Sequence, residues 1–462
     1  MNTWVSEKGV LPRGTAYEMR KPEQWNGTTI TDLDFAQYAD SYPIYSWLLN
    51  RGYAVSGTAR RDDSLSHYDP AHELVDLVNV MDLYEAKFGK PKVTIQMGRS
   101  GGGHVTLAMA EEHPDRIDGA VALCAHTPLW QQLSNLDTWF TLQTLIAPTL
   151  QITGIRPKKK LQNNFAEDMM RPVDTELTAA WKTALDAAQQ TPIGRARIAL
   201  ATTIGQQPAL TYDFEKVKTG APPSISWDSI TAPEQSLSDI LALENSMYES
   251  LHYIASWPGG QGRLMIELSS PGGQPTWNTG IDYVKLFKHG EPAYQKVTRE
   301  LYAKAGGDLH ADLGKLNGAK RVEADPISVK YWSAPGRTVL GAPKVPVLRV
   351  DGTQDPATIA SLAGYSEAVR ARGFEPLYRT AFIDAAGHCN YTVAELAAAI
   401  ETVMQRLNTG NWGDTSPRAM NKLAASLDPS SSSRFHAYKE LKFGRAWLPT
   451  LSEHIGLGPC DM

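Results

Sequence analysis

Cysteine is scarce in this chain, which has three cysteines among 462 residues. Cys124, Cys389 and Cys460 are widely spaced, and none of them belongs to a C-x-x-C pair. Disulfide frameworks and structural zinc sites are recognised by an even number of cysteines or by close spacing. The pattern therefore predicts neither of them, and no metal ion is expected. We expect Cys389 to be a small buried apolar residue.

Long apolar runs are absent as well. No run reaches the roughly 18 residues that a membrane-spanning helix needs. The first ten residues, MNTWVSEKGV, contain no basic segment followed by an apolar one, which is the pattern of a signal peptide. We therefore expect a cytoplasmic protein without a membrane partner. A mature secreted enzyme that has lost its leader would show the same pattern.

Neither sign of charge dominates the sequence. The 45 lysines and arginines oppose 50 aspartates and glutamates, and the formal net charge is −5. The longest basic run is Lys158–Lys160. Nucleic acids and anionic membranes are bound by clustered basic residues. The sequence thus predicts neither as a partner, and a small-molecule substrate is the expected ligand.

The order of apolar segments predicts an α/β core that is built from two parts of the chain. Residues 1–128 contain strand-like segments such as TTITDL and KVTIQM in alternation with helical patterns, which is typical of a doubly wound, mostly parallel sheet. Over 129–340 this alternation is lost, and helix-forming segments with scattered aromatic residues predict a large, mainly helical cap insertion. The alternation resumes over 341–410, and 411–462 is predicted to be a tail that packs on the core.

The segment VTIQMGRSGGGH contains a G-x-S-x-G pattern centred on Ser100, with a predicted strand before it and a predicted helix after it. In a nucleophile elbow the serine projects above the sheet edge, and we expect side chains larger than those of Gly98 and Gly102 to collide with the turn. The backbone N–H of Gly101 would then donate to an oxyanion. The alternative is a phosphate loop, but its Lys-Ser/Thr ending and the G-x-G-x-x-G pattern are both missing. No cofactor is therefore expected.

A nucleophilic serine needs a base and an orienting acid, and both residue types follow strands farther along the chain. Asp355 comes after the predicted strand KVPVLRV, and His388 comes after YRTAFI. Chain order Ser, Asp, His is that of elbow hydrolases, and the carboxyl ends of parallel strands share one edge of a sheet. His388 would accept the proton of Ser100, while Asp355 would orient the imidazole and stabilise its charged form.

Other histidines and aspartates compete for these two roles. His126 directly follows a strand and is the rival base, whereas His104 lies four residues after the serine and is expected to pack within its helix. Asp351 and Asp384 are the rival acids. Asp351 ends the strand itself, and Asp384 is too close in sequence to the predicted base to orient it from a separate loop. Chain order and loop position favour the first pair.

With these residues in place, the sequence resembles the α/β-hydrolase superfamily of serine esterases over residues 25–128 and 341–408. It is similar to large-lidded bacterial esterases and peptidase-like hydrolases in the segment WNGT at Trp25–Thr28. It is also similar to them in the segment GHC at Gly387–Cys389, which an aromatic residue and threonine follow at Tyr391–Thr392. The resemblance implies the α/β-hydrolase fold and a serine nucleophile, acid and base at the three positions named above.

The sequence departs from these relatives at the loop after the first core strand. The relatives have His-Gly there, whereas this chain reads DLDFA, with Asp34 and Phe35 at those positions. The resemblance implies that a backbone N–H from Phe35 or Ala36 gives the second oxyanion donor. A carboxylate at Asp34 would oppose a developing oxyanion unless it is turned away or hydrogen-bonded.

The first functional hypothesis is a serine hydrolase that cleaves a carboxylic ester or lactone. The large cap favours a bulky, semi-apolar substrate. A second hypothesis keeps the same residues but transfers the acyl group, or cleaves an amide or peptide. A third is a non-catalytic binding protein of the same fold. Arg99 and the pair Arg60-Arg61 could meet a substrate carboxylate, but solvated or structurally paired arginines are the favoured interpretation.

Overall fold

The computed structural model describes residues 3–60, 68–155, 174–209, 236–355 and 359–445. The strands are β1 Trp4–Val10, β2 Ala16–Pro22, β3 Thr28–Asp32, β4 Ala54–Thr58, β5 Val93–Arg99, β6 Gly119–Leu123, β7 Val347–Gln354, β8 Tyr378–Ala386 and β9 Phe435–His436. The helices are α1 Phe35–Tyr38, α2 Pro43–Asn50, α3 Pro70–Phe88, α4 Gly101–Glu112, α5 Pro128–Leu145, α6 Thr175–Gln189, α7 Pro192–Ile204, α8 Leu237–Tyr253, α9 Gln261–Ser269, α10 Tyr283–His289, α11 Pro292–Lys304, α12 Leu309–Gly318, α13 Pro326–Trp332, α14 Ile359–Arg372, α15 Val393–Thr409 and α16 Pro417–Leu427.

The strands form one mixed sheet in the order β1-β2-β4-β3-β5-β6-β7-β8-β9. The six strands from β4 to β8 in this order run parallel to their neighbours. The two N-terminal strands and β9 are antiparallel and lie at the two edges. This confirms the predicted fold class. The central strands are buried on both faces, which is why they read as continuous apolar runs in the sequence.

The N-terminal hairpin was missed by the sequence analysis. Strand β1 pairs with β2 so that Trp4 lies opposite Pro22 and Val10 lies opposite Ala16. Its side chains are exposed or half-buried, and the segment WVSEKGV is polar at its centre. An edge strand with one open side carries no continuous apolar run, so no pattern in the sequence distinguished it from a loop.

Helices cover both faces of the sheet and bury its apolar side chains. On one face α2 and α15 contribute residues such as Leu48 and Ile400, which pack with Ile95 of β5. On the other face α3, α4 and α14 contribute residues such as Leu77 and Leu107. Full burial of each large aliphatic side chain stabilises the fold by about 1.5–3 kcal/mol. The parallel strands are thereby held in a rigid layer whose carboxyl edge carries the loops discussed below.

In its described residues the segment between β6 and β7 is mainly helical, as the sequence predicts, and contains α5 to α13. It has its own buried apolar cluster, built largely from α5, α7, α8, α10 and α11. Trp139 lies at its centre, with its ring 5.0 Å from that of Trp181 and 6.5 Å from that of Trp257. Trp227, another aromatic residue of the predicted insertion, is outside the described residues.

The last described part of the chain packs on the core. Helix α16 packs on α15, and β9 pairs with β8 so that Phe382 lies opposite His436. Residues 446–462, which include Cys460, are outside the described residues. Among the helices of the described ranges, none combines the length and the apolar character that crossing a bilayer requires.

Candidate active site

Ser100 occupies a sharp turn between β5 and α4 with φ 56° and ψ −120°. A positive φ is unfavourable for a residue with a side chain, so the surrounding structure must hold it. A Cβ atom on Gly98 would lie 2.3 Å from the carbonyl oxygen of Gly102, which only glycine avoids. The strained turn directs the serine to the carboxyl edge of the sheet.

The steric expectation for Gly102 was wrong. A Cβ atom there would meet its nearest neighbours, atoms of Asp34 and Leu33, at 3.5 Å, which is ordinary contact. Gly103 is the tight position instead, because its Cβ would lie 2.6 Å from the carbonyl oxygen of Leu123. The helix starts so close to β6 that the residue facing that strand, rather than the second residue after the serine, must be glycine.

The structure brings Ser100, His388 and Asp355 together although they are far apart in the sequence. His388 Nε2 lies 2.7 Å from Ser100 Oγ, and His388 Nδ1 lies 2.9 and 3.0 Å from the two carboxylate oxygens of Asp355. Asp355 is fully buried and also accepts the backbone N–H of Cys389 at 3.1 Å. With its Nδ1–H donated to Asp355, the imidazole presents Nε2 as the acceptor for the serine hydroxyl.

The rival histidines occupy other positions. His104 is fully buried, and its Nε2 lies 3.1 Å from the carbonyl oxygen of Gly336. Burial lowers the pKa of His104 to about 4. Burial, together with the nearby charge of His388, lowers the pKa of His126 to about 3. Both imidazoles are therefore neutral at physiological pH, and the histidine hydrogen-bonded to Ser100 Oγ is His388.

Neither rival acid is hydrogen-bonded to His388. Asp351 is buried and paired with Arg349, whose Nε lies 2.8 Å from its carboxylate. Burial raises the pKa of Asp351 to about 6, which Arg349 opposes. Asp384 lies within β8, where its backbone N–H donates to the carbonyl oxygen of Arg434. The carboxylate in contact with His388 is thus that of Asp355.

The loop that follows β3 is held in place by side chains on several sides. The Asp34 backbone N–H donates to Asp32 Oδ1 at 3.0 Å, and the Thr58 hydroxyl donates to the Leu33 carbonyl oxygen at 2.6 Å. Phe35 is the first residue of α1, just as Gly101 is the first residue of α4. Backbone N–H groups in the first turn of a helix have no acceptor within that helix. Such groups from both loops are present at this edge of the sheet.

Two arginines lie beside this loop, and the side chains of both contact other side chains of the protein. Arg60 binds the Asp34 carboxylate through Nε at 2.7 Å and Nη2 at 3.1 Å. Arg99 places its guanidinium 4.1 Å from the centre of the Tyr42 ring. Arg61 lies outside the described residues. The Asp34 carboxylate is therefore turned toward a cation, which removes the electrostatic objection raised by its position.

A disulfide links Cys124 and Cys389, whose Cα atoms are 5.4 Å apart. This corrects both expectations about cysteine, since a disulfide was not predicted and Cys389 was expected to be a small apolar residue. The two cysteines are separated by 265 residues, so their spacing carried no signal. Their positions could have indicated the pair. Cys124 directly follows a predicted strand, Cys389 directly follows the predicted base, and both positions lie at the same edge of the sheet.

The disulfide joins the loop of His388 to the end of β6. Cys124 and Cys389 both have positive φ, 41° and 58°, as Ser100 has. Three strained backbone positions thus meet at this edge and need support from their surroundings. The two sulfurs, a carboxylate oxygen of Asp355 and a ring nitrogen of His388 all lie within 4.8 Å of one another, and each of these atoms could in principle bind a metal. A metal would need free thiolates there, and the disulfide takes both sulfurs out of that form.

We expect the double variant Cys124→Ala/Cys389→Ala to lose stability and to act more slowly. Closing so long a loop constrains the unfolded chain and contributes up to about 5 kcal/mol. The loop of His388 would also lose its covalent link to β6, which should lower kcat. Thermal unfolding and kcat measure the two effects, with Cys460→Ala as the matched control. An unchanged Tm and kcat would show that the disulfide supports neither.

A buried cluster that joins Tyr68 to side chains of the helical segment lies beside the residue after the serine. Its buried members are Tyr68, Leu129, Leu133, Met265, Ile266, Trp277 and Trp332. The Tyr68 hydroxyl oxygen lies 3.3 Å from the position that a Cβ of Gly101 would take, and the Tyr68 ring lies 6.2 Å from that of Trp332. The space beside Gly101 is therefore bounded by the Tyr68 hydroxyl, and behind it the rings of Tyr68 and Trp332 form an aromatic wall.

Similarity to known proteins extends over most of the chain. No family model matches the chain. An o-phthalyl amidase of Xanthobacter agilis is 40% identical over 458 residues, which is 96% of this chain and 97% of the relative. A solved esterase of Pyrococcus furiosus is 11% identical and covers 89% of this chain and 92% of its own, with a TM-score of 0.37. Feruloyl esterase B of Aspergillus oryzae is 13% identical over 88% of this chain and 81% of its own, with a TM-score of 0.37.

Proposed function

The chain belongs to the α/β-hydrolase superfamily, in one family with the o-phthalyl amidase of Xanthobacter agilis, and is a hydrolase; we propose that it cleaves an amide of an aromatic ortho-dicarboxylic acid through an acyl-enzyme on Ser100. The observation that carries the proposal is the distance of 2.7 Å between Ser100 Oγ and His388 Nε2, with Asp355 on the other ring nitrogen. The amide bond is suggested by the name of the relative. The aromatic wall at Tyr68 fits an aryl acyl group.

In the proposed reaction Ser100 Oγ attacks the amide carbonyl carbon while His388 Nε2 takes the hydroxyl proton. The tetrahedral intermediate then collapses, the C–N bond breaks, and His388 gives its proton to the departing amine. Water next attacks the ester formed on Ser100, and His388 takes a proton from that water. The carboxylic acid leaves as the serine hydroxyl is restored. Asp355 holds the imidazole in the required tautomer throughout.

The negative charge on the carbonyl oxygen needs two donors in this reaction. The first is the backbone N–H of Gly101 at the start of α4, as the sequence predicts for an elbow. The second is a backbone N–H of Phe35 or Ala36 in the loop after β3. Asp34 does not oppose this charge in our proposal because its carboxylate is bound by Arg60.

The same residues would also cleave carboxylic esters and lactones, which was the first hypothesis from the sequence. An ester is the easier substrate because its alcohol leaves without the protonation that an amine needs. The decisive test is a matched pair of substrates, an o-carboxybenzoyl anilide and the corresponding ester, assayed with and without an added acyl acceptor. Hydrolysis of the anilide supports amidase activity. Cleavage of the ester alone would restrict the function to esterase, and product formed only with the acceptor would indicate acyl transfer.

The ionisation of the His388 imidazole should govern how kcat/KM depends on pH. Burial lowers the pKa of His388, but the charge and hydrogen bond of Asp355 more than offset this, and the net pKa lies above its ordinary 6.5. A base must be neutral, so kcat/KM should fall as the pH drops through this raised pKa. Weakening the ion pair in Asp355→Asn should move the acidic limb to lower pH. A pH profile of kcat/KM measures both, and an acidic limb that stays in place in the variant would assign the ionisation to another group.

We place the protein in an oxidising compartment rather than in the cytoplasm that the sequence favoured. The support is the disulfide between Cys124 and Cys389, because protein disulfides are rare in the reducing cytosol. Alkylation of free thiols in cell fractions tests this placement. Two reactive thiols at these positions in the protein as isolated would contradict it.

A further inference from the structure

Arg60 lies beside the residue that follows the serine. Its Nη1 is 2.8 Å, and its Nη2 3.3 Å, from the position that a Cβ of Gly101 would take. Gly101 is the first residue of α4 and carries the N–H assigned above to the oxyanion. The absence of a side chain at Gly101 leaves the space that the guanidinium occupies. A guanidinium therefore lies next to Gly101, on the same side as the Tyr68 hydroxyl.

The guanidinium is held rigidly in this position. Its Nε and Nη2 bind the two carboxylate oxygens of Asp34, and its side chain is 4% exposed. A guanidinium has five N–H donors in a fixed plane and can bridge two carboxylates at once. Asp34 engages the Nε edge, and this orients Nη1 toward Gly101. The charge is also desolvated, which strengthens its interaction with neighbouring anions, and Asp34 and Glu73 are the carboxyl groups that already oppose it.

An ortho-dicarboxylic acyl group needs a cation at this place. Its free carboxylate is attached to the ring carbon adjacent to the one that carries the reacting carbonyl. In such an acyl group the ortho carboxylate lies only a few ångströms from the reacting carbonyl carbon, whereas a para carboxylate lies at the far end of the ring. When the carbonyl oxygen points to the N–H of Gly101, the ortho carboxylate is therefore near Gly101 as well. Arg60 satisfies this constraint, and its planar donors match a carboxylate.

We infer that Arg60 is the specificity-determining residue that binds the free ortho carboxylate of the acyl group, an inference that rests on the proposed amidase function. Asp34 then acts as the positioning residue of Arg60, which explains why an acid stands where relatives have His-Gly. Aryl amides without a charge at the ortho position lack this contact. The site thus discriminates between acyl groups by the position of a negative charge on the ring.

The test compares three anilides with the same leaving group, carrying o-carboxybenzoyl, p-carboxybenzoyl and benzoyl groups. In Arg60→Gln we expect kcat/KM for the ortho substrate to fall about 30- to 1,000-fold, mostly through KM, as for other buried charge pairs that lose one partner. The benzoyl anilide should also slow, because Asp34 loses its cation near the oxyanion, but it should slow by much less, so the readout is the ratio of kcat/KM between the ortho and the benzoyl substrate. An equal loss for all three anilides, or an unchanged preference for the ortho substrate, would overturn the inference.

The folding of the variant needs its own control, because Arg60→Gln leaves Asp34 without this partner. The double variant Asp34→Asn/Arg60→Gln removes both charges and should show the same loss of ortho preference. Arg116→Gln removes a distant arginine that pairs with Asp82 on the surface and should change nothing. If the double variant regains the preference for the ortho substrate, the role of Arg60 is to shield Asp34, and the inference is wrong.

A second measurement separates this inference from the proposed function. Phthalate should protect Ser100 from a fluorophosphonate probe in the wild type and fail to do so in Arg60→Gln, while benzoate should protect neither. If the wild type cleaves no anilide but shows this Arg60-dependent protection, the amidase function fails and the anion site stands. If the ortho anilide is cleaved but phthalate protects both proteins equally, the function stands and the assignment of Arg60 falls.

Discussion

Replacing Ser100 with alanine is expected to reduce kcat about 10⁶-fold, because the atom that forms the acyl-enzyme is removed. The remaining rate would come from binding and from the oxyanion donors alone. His388 Nε2 contacts the serine hydroxyl at 2.7 Å, and the Cys389 sulfur, 3.5 Å from the same nitrogen, is held in the disulfide. Within the described residues no other nucleophile is therefore in place. Product release from an o-carboxybenzoyl anilide measures the loss, and labelling by a fluorophosphonate probe should disappear with it.

The control for this variant is Ser426→Ala, which changes an exposed serine on α16. It should keep full activity and full labelling. If Ser100→Ala is labelled as fast as the wild type, the nucleophile lies elsewhere in the chain. If labelling is lost while hydrolysis persists, the reaction does not pass through Ser100.

The second large effect is expected for Asp355→Asn, with a loss of about 10⁴-fold in kcat. The asparagine keeps the shape of the side chain but can donate to His388 Nδ1, which favours the wrong tautomer. Nε2 would then carry the hydrogen and could not accept the proton of Ser100. Steady-state kinetics measure the loss, and thermal unfolding shows whether the variant is folded.

Asp384→Asn is the matched control for the acid. It makes the same chemical change in a carboxylate of the neighbouring strand β8, which the sequence analysis had weighed as a rival. We expect its kcat to stay within a few-fold of the wild type. Should Asp384→Asn lose activity while Asp355→Asn keeps it, the acid role moves to Asp384.

The sequence placed the three residues of the proposed triad at one sheet edge because each of them follows a local pattern. The glycines around Ser100 mark a strand–helix turn, and Asp355 and His388 each follow a buried apolar strand. The parallel order of such strands brings their carboxyl ends to one edge without any knowledge of side-chain packing. Local periodicity and chain order were therefore sufficient for the core and for these three residues.

The features that the sequence did not disclose depend on tertiary contacts. Cys124 and Cys389 meet only because the ends of β6 and β8 share an edge, and no spacing rule spans 265 residues. From the sequence, the charge of Asp34 was expected to oppose an oxyanion. In the structure its carboxylate binds Arg60, which is 26 positions away and follows another strand. Side-chain pairs between separate loops leave no periodic trace in a single sequence, so these contacts required the structure.

The central claim is that hydrolysis proceeds through an acyl group on Ser100. Rapid quenching of the wild type with an o-carboxybenzoyl ester, followed by mass spectrometry of the intact chain and its peptides, tests this claim most directly. The account predicts a transient adduct of one acyl group on the peptide that contains Ser100, formed and lost at rates that match turnover. Product release without any adduct, or an adduct on a different peptide that turns over at the catalytic rate, would contradict it.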